Sequence, residues 1–176
     1  MKPVELPYRQ IPEYPVQYSA TTVAARLLDG LGFRYYWATE GLREQDLSHK
    51  ASETSRSTAE TIDHILGLSQ MTLNSLKQIP NTGGGEDLSF EEKRQATLLN
   101  IKEASELLKA ATDADMENYK IIFERGDSRS EFPFWNNLNG PIADALWHVG
   151  QIVSNRRASG NPLNGKVSVF SGRVRE

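Results

Sequence analysis

The sequence predicts an all-α protein: a four-helix bundle with one long connection before the last helix and extended N- and C-terminal segments. Three observations predict it. Apolar residues recur at spacings of three and four along four separate stretches. Each stretch carries recognisable end signals. Strand-like alternation is scarce. Four helices of roughly 20 residues, each about 30 Å long, bury their apolar stripes most economically against one another. At 176 residues the chain is a single domain, 1–176, with its helical core over about residues 19–162.

Pro3, Pro7, Pro12 and Pro15 make residues 1–18 an extended lead-in, because proline fixes φ and biases its predecessor away from the helical region. Ser19 or Thr21 caps a first helix running to about Thr39, with Val23, Leu27, Leu28, Leu31, Tyr35 and Trp37 as its apolar face. Phe33, Tyr35, Tyr36 and Trp37 read as core aromatics that can also wall a pocket. Gly30 and Gly32 weaken this helix, since interior glycine costs ~1 kcal/mol against alanine.

A polar stretch, 43–55, precedes the capping box Ser57-x-x-Glu60. The second helix it opens ends near Pro80, with Ile62, Ile65, Leu66, Leu73 and Leu76 on one face. Asn81 to Gly85 is a glycine-rich loop that lacks the Lys-Ser/Thr of a phosphate-binding loop. Ser89-x-x-Glu92 opens a third helix that fades by Asp113. Residues 114–139 are irregular: Tyr119–Phe123 fits a short strand or a helical turn, and 132–135 an aromatic loop. The last helix has proline at its first position, Pro141, and glycine just past its end, Gly160. The tail from Lys166, alternating weakly at Val167 and Val169, is expected to lie extended along the body.

With 38% hydrophobic and 24% charged residues, the chain has the composition of a soluble globule. Its 20 basic against 23 acidic residues give a net charge of −3, which offers no basic surface for nucleic acid. The absence of cysteine excludes disulfides, thiolate metal sites and cysteine nucleophiles. Lys2, Glu5, Arg9 and Glu13 among the early prolines leave no apolar stretch for a signal peptide. Nothing approaches the ~18 apolar residues of a membrane span. No membrane association and a cytoplasmic location are the expectation.

The chemistry-bearing residues cluster on two helices. Asp144 and His148 stand four apart, so one helix face presents a carboxylate and an imidazole with Cβ atoms ~6 Å apart. On the helical wheel Asp144, Trp147, His148, Gln151 and Asn155 form a polar stripe roughly opposite the apolar face of Ile142, Ala145, Leu146, Val149, Ile152 and Val153. A solvated face is the plain reading of such a stripe, although Trp147 within it argues for something covering it. His64 lies early in the second helix. If the second and last helices are parallel neighbours, His64, Asp144 and His148 converge at one end. Two histidines and one carboxylate leave open positions on a divalent metal, as a reactive site requires. Glu60, one turn before His64, is a ligand or base candidate whose plainer role closes the capping box. With Trp37, Trp147 and Gln151 it makes up the candidate substrate pocket. His49 reads as a surface residue. Arg156 and Arg157 offset the negative end of the last helix.

The run Asp144-Ala-Leu-Trp-His148-Val-Gly150-Gln151-Ile, followed by Arg156-Arg157-Ala-Ser-Gly160-Asn-Pro162, resembles the last helix of the DinB/YfiT-like superfamily. Thr61-Ile-Asp-His64-Ile is similar to that family's second helix, and Gly30-Leu-Gly-Phe-Arg-Tyr-Tyr-Trp37 to its first. The resemblance covers about residues 19–162. It implies a four-helix bundle, frequently a homodimer, with a divalent metal, commonly zinc or nickel, held by three histidines; iron or manganese are alternatives for this chain. Some members are transferases or isomerases that use a low-molecular-weight thiol, and others are regarded as metal-dependent hydrolases. This sequence departs at one ligand, carrying Asp144 where the family has histidine. Carboxylate is a competent ligand, so the implied set is His64, Asp144 and His148. Two functions follow: a metal-dependent hydrolase or thiol-dependent transferase acting on a small molecule, or a metal-free helical module for binding and interaction.

Overall fold

The computed structural model describes residues 5–84 and 87–176. Pro3 of the expected lead-in and Gly85 of the expected loop lie outside the described residues. The chain is mostly helical. Four long helices, α1 (Ala20–Thr39), α3 (Thr58–Lys77), α4 (Phe90–Ala110) and α6 (Ala143–Ala158), are joined by connections that hold two single turns, α2 (Glu44–Leu47) and α5 (Trp135–Asn137). An all-α chain was the expectation, and two small antiparallel sheets correct it. Strand β1 (Ile121–Arg125) pairs with β2 (Ser128–Phe132), and β3 (Val167–Ser168) with β4 (Arg173–Val174). Gly126, at φ +56°, turns the first hairpin in a conformation glycine adopts freely. Strand β2 is exposed throughout and shows no apolar alternation, which hides the hairpin from its pattern.

The helix starts are set locally. Ser19, Ser57 and Ser89 each accept from a backbone N–H three residues on, and the residue at that third position reaches back. Helix α3 stops at Lys77, short of Pro80, because Gln78 adopts the left-handed conformation at φ 57°. Gly160, at φ +80°, lies past the end of α6 as expected. At the other end Pro141 sits inside an irregular turn, Leu138–Ile142, broken at Gly140, and regular helix begins two residues later.

Side-chain pairs fix the helix directions. Asp29–Lys109 (2.7 Å) and Glu40–Arg94 (2.5 Å) make α1 and α4 antiparallel. Asp63–Lys93 and Lys77–Glu103 make α3 and α4 parallel. Asn155–Thr58 (3.3 Å) and Asn137–Ser75 (2.8 Å) make α3 and α6 antiparallel. Because α3 and α4 are parallel, the end of one and the start of the other lie at opposite ends of the pair, and the strap 78–84 leaves α3 here. Asn81 pins this strap to β1, donating to Ile122 O (2.8 Å) and accepting from Glu124 N (3.1 Å). Beside the long connection before the last helix, which joins antiparallel α4 and α6, the chain therefore carries a second long one between parallel α3 and α4.

Leu28, Leu31, Ile65, Leu98, Ile101 and Ile152 lie at the centre of the core. Phe33, Tyr35 and Tyr36 are buried as expected, whereas Val23 and Leu27 are exposed (56% and 39%). Helix α1 instead packs through small residues: Ser105 Oγ on α4 donates to Ala25 O. Gly32 admits the Tyr8 ring, which a Cβ there would meet at 2.5 Å. Tyr8 then donates to the buried Asp29 (3.1 Å), which also accepts from Ser105 and Lys109.

Arg156 is buried and serves a neighbour as well as its own helix end, donating to Trp37 O and Ala38 O at the end of α1 and to Asn161 O just past α6. The turn before α3 is locked beside it. Asp46, with no exposed surface, accepts from Arg43 (2.8 Å), Ser159 (2.5 Å) and Asn161 (2.7 Å). The Arg43 guanidinium, helped by Ser159 and Asn161, holds this carboxyl well below the usual carboxylate range.

Gly32→Ala is expected to destabilise by about 1–3 kcal/mol through overpacking, and a Tyr8→Ala background should relieve most of the clash; thermal melts of the single and double variants measure it. Asp46 stabilises the fold fully above its unfolded pKa of about 3.9, and that contribution is lost as pH falls below it. Asp46→Asn should therefore cost about 1.5–3 kcal/mol at pH 7. In urea titrations its deficit against wild type should narrow steadily below about pH 4.

Candidate metal centre

His64 projects from the second turn of α3, and Asp144 and His148 from the first two turns of α6. The structure brings the three together, but not by the expected route. The helices are antiparallel, so the residues meet across the flank of the α3–α6 pair and not at a shared helix start. Asp144 lies between the rings. His64 Nε2 is 2.9 Å from its Oδ2, and His148 Nε2 is 3.3 Å from its Oδ1. The rings stand edge to face with centroids 4.6 Å apart. One ligand atom from each residue lies within 4.8 Å of the others, so the group can hold a metal ion.

The Asp144 gaps of 2.9 and 3.3 Å match the donor spacing of a small divalent ion, while the three donors together span up to 4.8 Å. Ligands ~2.0–2.1 Å from a tetrahedral ion stand roughly 3.3 Å from one another. Proton placement points the same way. His148 Nδ1 is 2.7 Å from Gln151 Oε1, an amide oxygen that can only accept, so Nδ1 carries the proton. In the neutral ring Nε2 is then a lone pair aimed at a carboxylate oxygen. That lone pair also faces Arg56 Nη1 at 3.5 Å, so a donor cation already stands beside the two acceptors.

The polar stripe of α6 is not one solvated face. Asn155 is buried against Thr58, and the His148 side chain is 13% exposed. Trp147 is 72% exposed, and nothing in the described residues covers it. Gln151 orients His148. Glu60 closes the capping box, accepting from Ser57 N (2.6 Å) and pairing with Lys50 (3.3 Å). Its carboxyl is held below its usual range mainly by the Ser57 backbone N–H. Trp37 is turned to the N-terminal segment, where its ring N–H donates to Arg9 O (3.2 Å) and its edge meets Tyr36. Arg56 is the neighbour that pattern reasoning misses: its Nη1 lies 3.5 Å from His148 Nε2. The only sequence signal for it is its place just before the Ser57 cap.

No protein-family model matches this chain, and no curated protein or solved structure matches it.

In metal-free protein at pH 8, ¹⁵N–¹H correlation spectra should show His148 as the Nδ1–H tautomer. Gln151→Leu should lose that preference with little change in helix content by circular dichroism.

Proposed function

We propose that this chain is a metal-dependent enzyme of the DinB/YfiT-like kind, a four-helix bundle in which His64, Asp144 and His148 hold one divalent ion, zinc or nickel foremost. The observation that carries the reading is the convergence of those three donors from two helices upon one point. Such an ion, when bound, supplies Lewis acidity that brings the pKa of a water or a thiol it holds toward neutrality. Hydrolysis and thiol transfer are the two reaction classes this chemistry serves.

The chain's own residues do the rest. Asp144 offers its two oxygens to two different rings and so aligns them. Gln151 fixes the tautomer that leaves His148 Nε2 free to ligate. The Ser57 cap and the Asn155–Thr58 bond hold the start of α3 against the end of α6, so that His64 faces Asp144. Three protein donors leave positions for a ligand, as catalytic sites do.

A metal-free interaction module is the competing function, and the short His64–Asp144 contact, complete without an ion, favours it. Elemental analysis of tag-free protein separates the two. About one equivalent of metal is expected in wild type and well under a tenth of that in His148→Ala, with a chelator lowering the melting temperature of wild type only. Metal content unchanged by His148→Ala, or a melt indifferent to chelator, sinks the enzyme reading.

A further inference from the structure

We propose that Arg56 makes this centre selective for ligands carrying an oxyanion, a carboxylate or a phosphate, bound on the face that the guanidinium shares with His148. This rests on the metal reading above and names the substrate class for it.

Charge is the first ground. Asp144 is the one anionic donor of the three, and histidines ligate as neutral rings, so a divalent ion would keep one positive charge uncompensated. Arg56 brings a second: its Nη1 lies 3.5 Å from the Nε2 lone pair that would ligate, and on ligation it would turn from that nitrogen to the bound ligand. No salt-bridge partner of Arg56 is found among the described residues. The loop's other cation, Lys50, is taken up by Glu60 at 3.3 Å. Arg56 is exposed at the rim of the half-buried donors, and an oxyanion there offsets both charges where a neutral ligand offsets neither.

Geometry is the second ground. Arg56 directly precedes the Ser57 cap, and the backbone on its C-terminal side is held. Lys50 and Ser57 bridge in antiparallel register, and Thr58 N donates to His49 O (3.1 Å). The guanidinium thus extends from a fixed base. Its planar fork matches the paired oxygens of carboxylate and phosphate better than a single sulfur.

The test uses the full chain loaded with Co(II), read by its visible absorption. Acetate and inorganic phosphate are titrated separately, to tell the two oxyanion sources apart, with acetamide as the neutral control. At least one anion should perturb the wild-type spectrum. Arg56→Gln should keep Co(II) affinity within a few-fold and weaken that anion about 10–100-fold. Arg56→Lys should recover part of the loss, and any acetamide response should not change. Anion affinity within two-fold of wild type in Arg56→Gln, no response to either anion, or loss of Co(II) binding in that variant overturns the role of Arg56. Failure of wild type to take up Co(II) at all overturns the metal reading, and this one with it.

Discussion

The antiparallel register between α3 and α6 is the constraint on which the rest of the candidate centre depends. It is set by polar bonds at two levels, Asn155 to Thr58 near one end and Asn137 to Ser75 near the other. Between them lie core residues of both helices, Ile62 and Ile65 on α3 and Ala145, Val149 and Ile152 on α6. A slip of one turn would move one helix past the other by ~5.4 Å. That exceeds the 2.9 Å gap by which His64 on α3 meets Asp144 on α6. Buried polar bonds suit this task, because a misaligned register leaves them unpaired in the core while apolar side chains can repack.

Register and chemistry are coupled at the same place. The Ser57 cap that starts α3 also anchors Glu60 and fixes the backbone beside Arg56. Direction matters in the same way for Arg156. Because the last turn of α6 lies beside that of α1, its guanidinium reaches the carbonyls of Trp37 and Ala38, which have no partner within their own helix. One helix, α6, therefore places a candidate site on its α3 flank and closes a helix end on its α1 flank.

What was legible in the sequence was local. Serine caps at 19, 57 and 89 and the glycine stop at 160 are decided within a few residues, so pattern alone places those helix ends. The three members of the centre were also legible, two from their spacing and the third from its place near a helix start. Relative helix direction was not, since no local residue encodes it; parallel neighbours were the condition for convergence, and antiparallel ones bring it about. Hydrophobicity misjudged Val23 and Leu27, because α1 approaches α4 through alanine and serine. Of the hairpin at 121–132 the first strand was one of two readings for 119–123, and the second was hidden because it is exposed throughout and polar up to Phe132. Arg56 became meaningful only once α6 was laid beside the loop that carries it.

The two ends of the described chain are stitched to each other. Ile11 N donates to Gly172 O, Arg173 reaches Ile11 O and Glu13, and a Cβ at Gly172 would collide with Ile11. These bonds join residues about 160 positions apart in sequence. Closing so long a loop carries a high entropic cost, so such contacts form late. During synthesis the helices can assemble while the stretch around Ile11 waits for a partner that has not yet been made. The outer seam is then the last part of the protein to close and, by the same reasoning, the first to open.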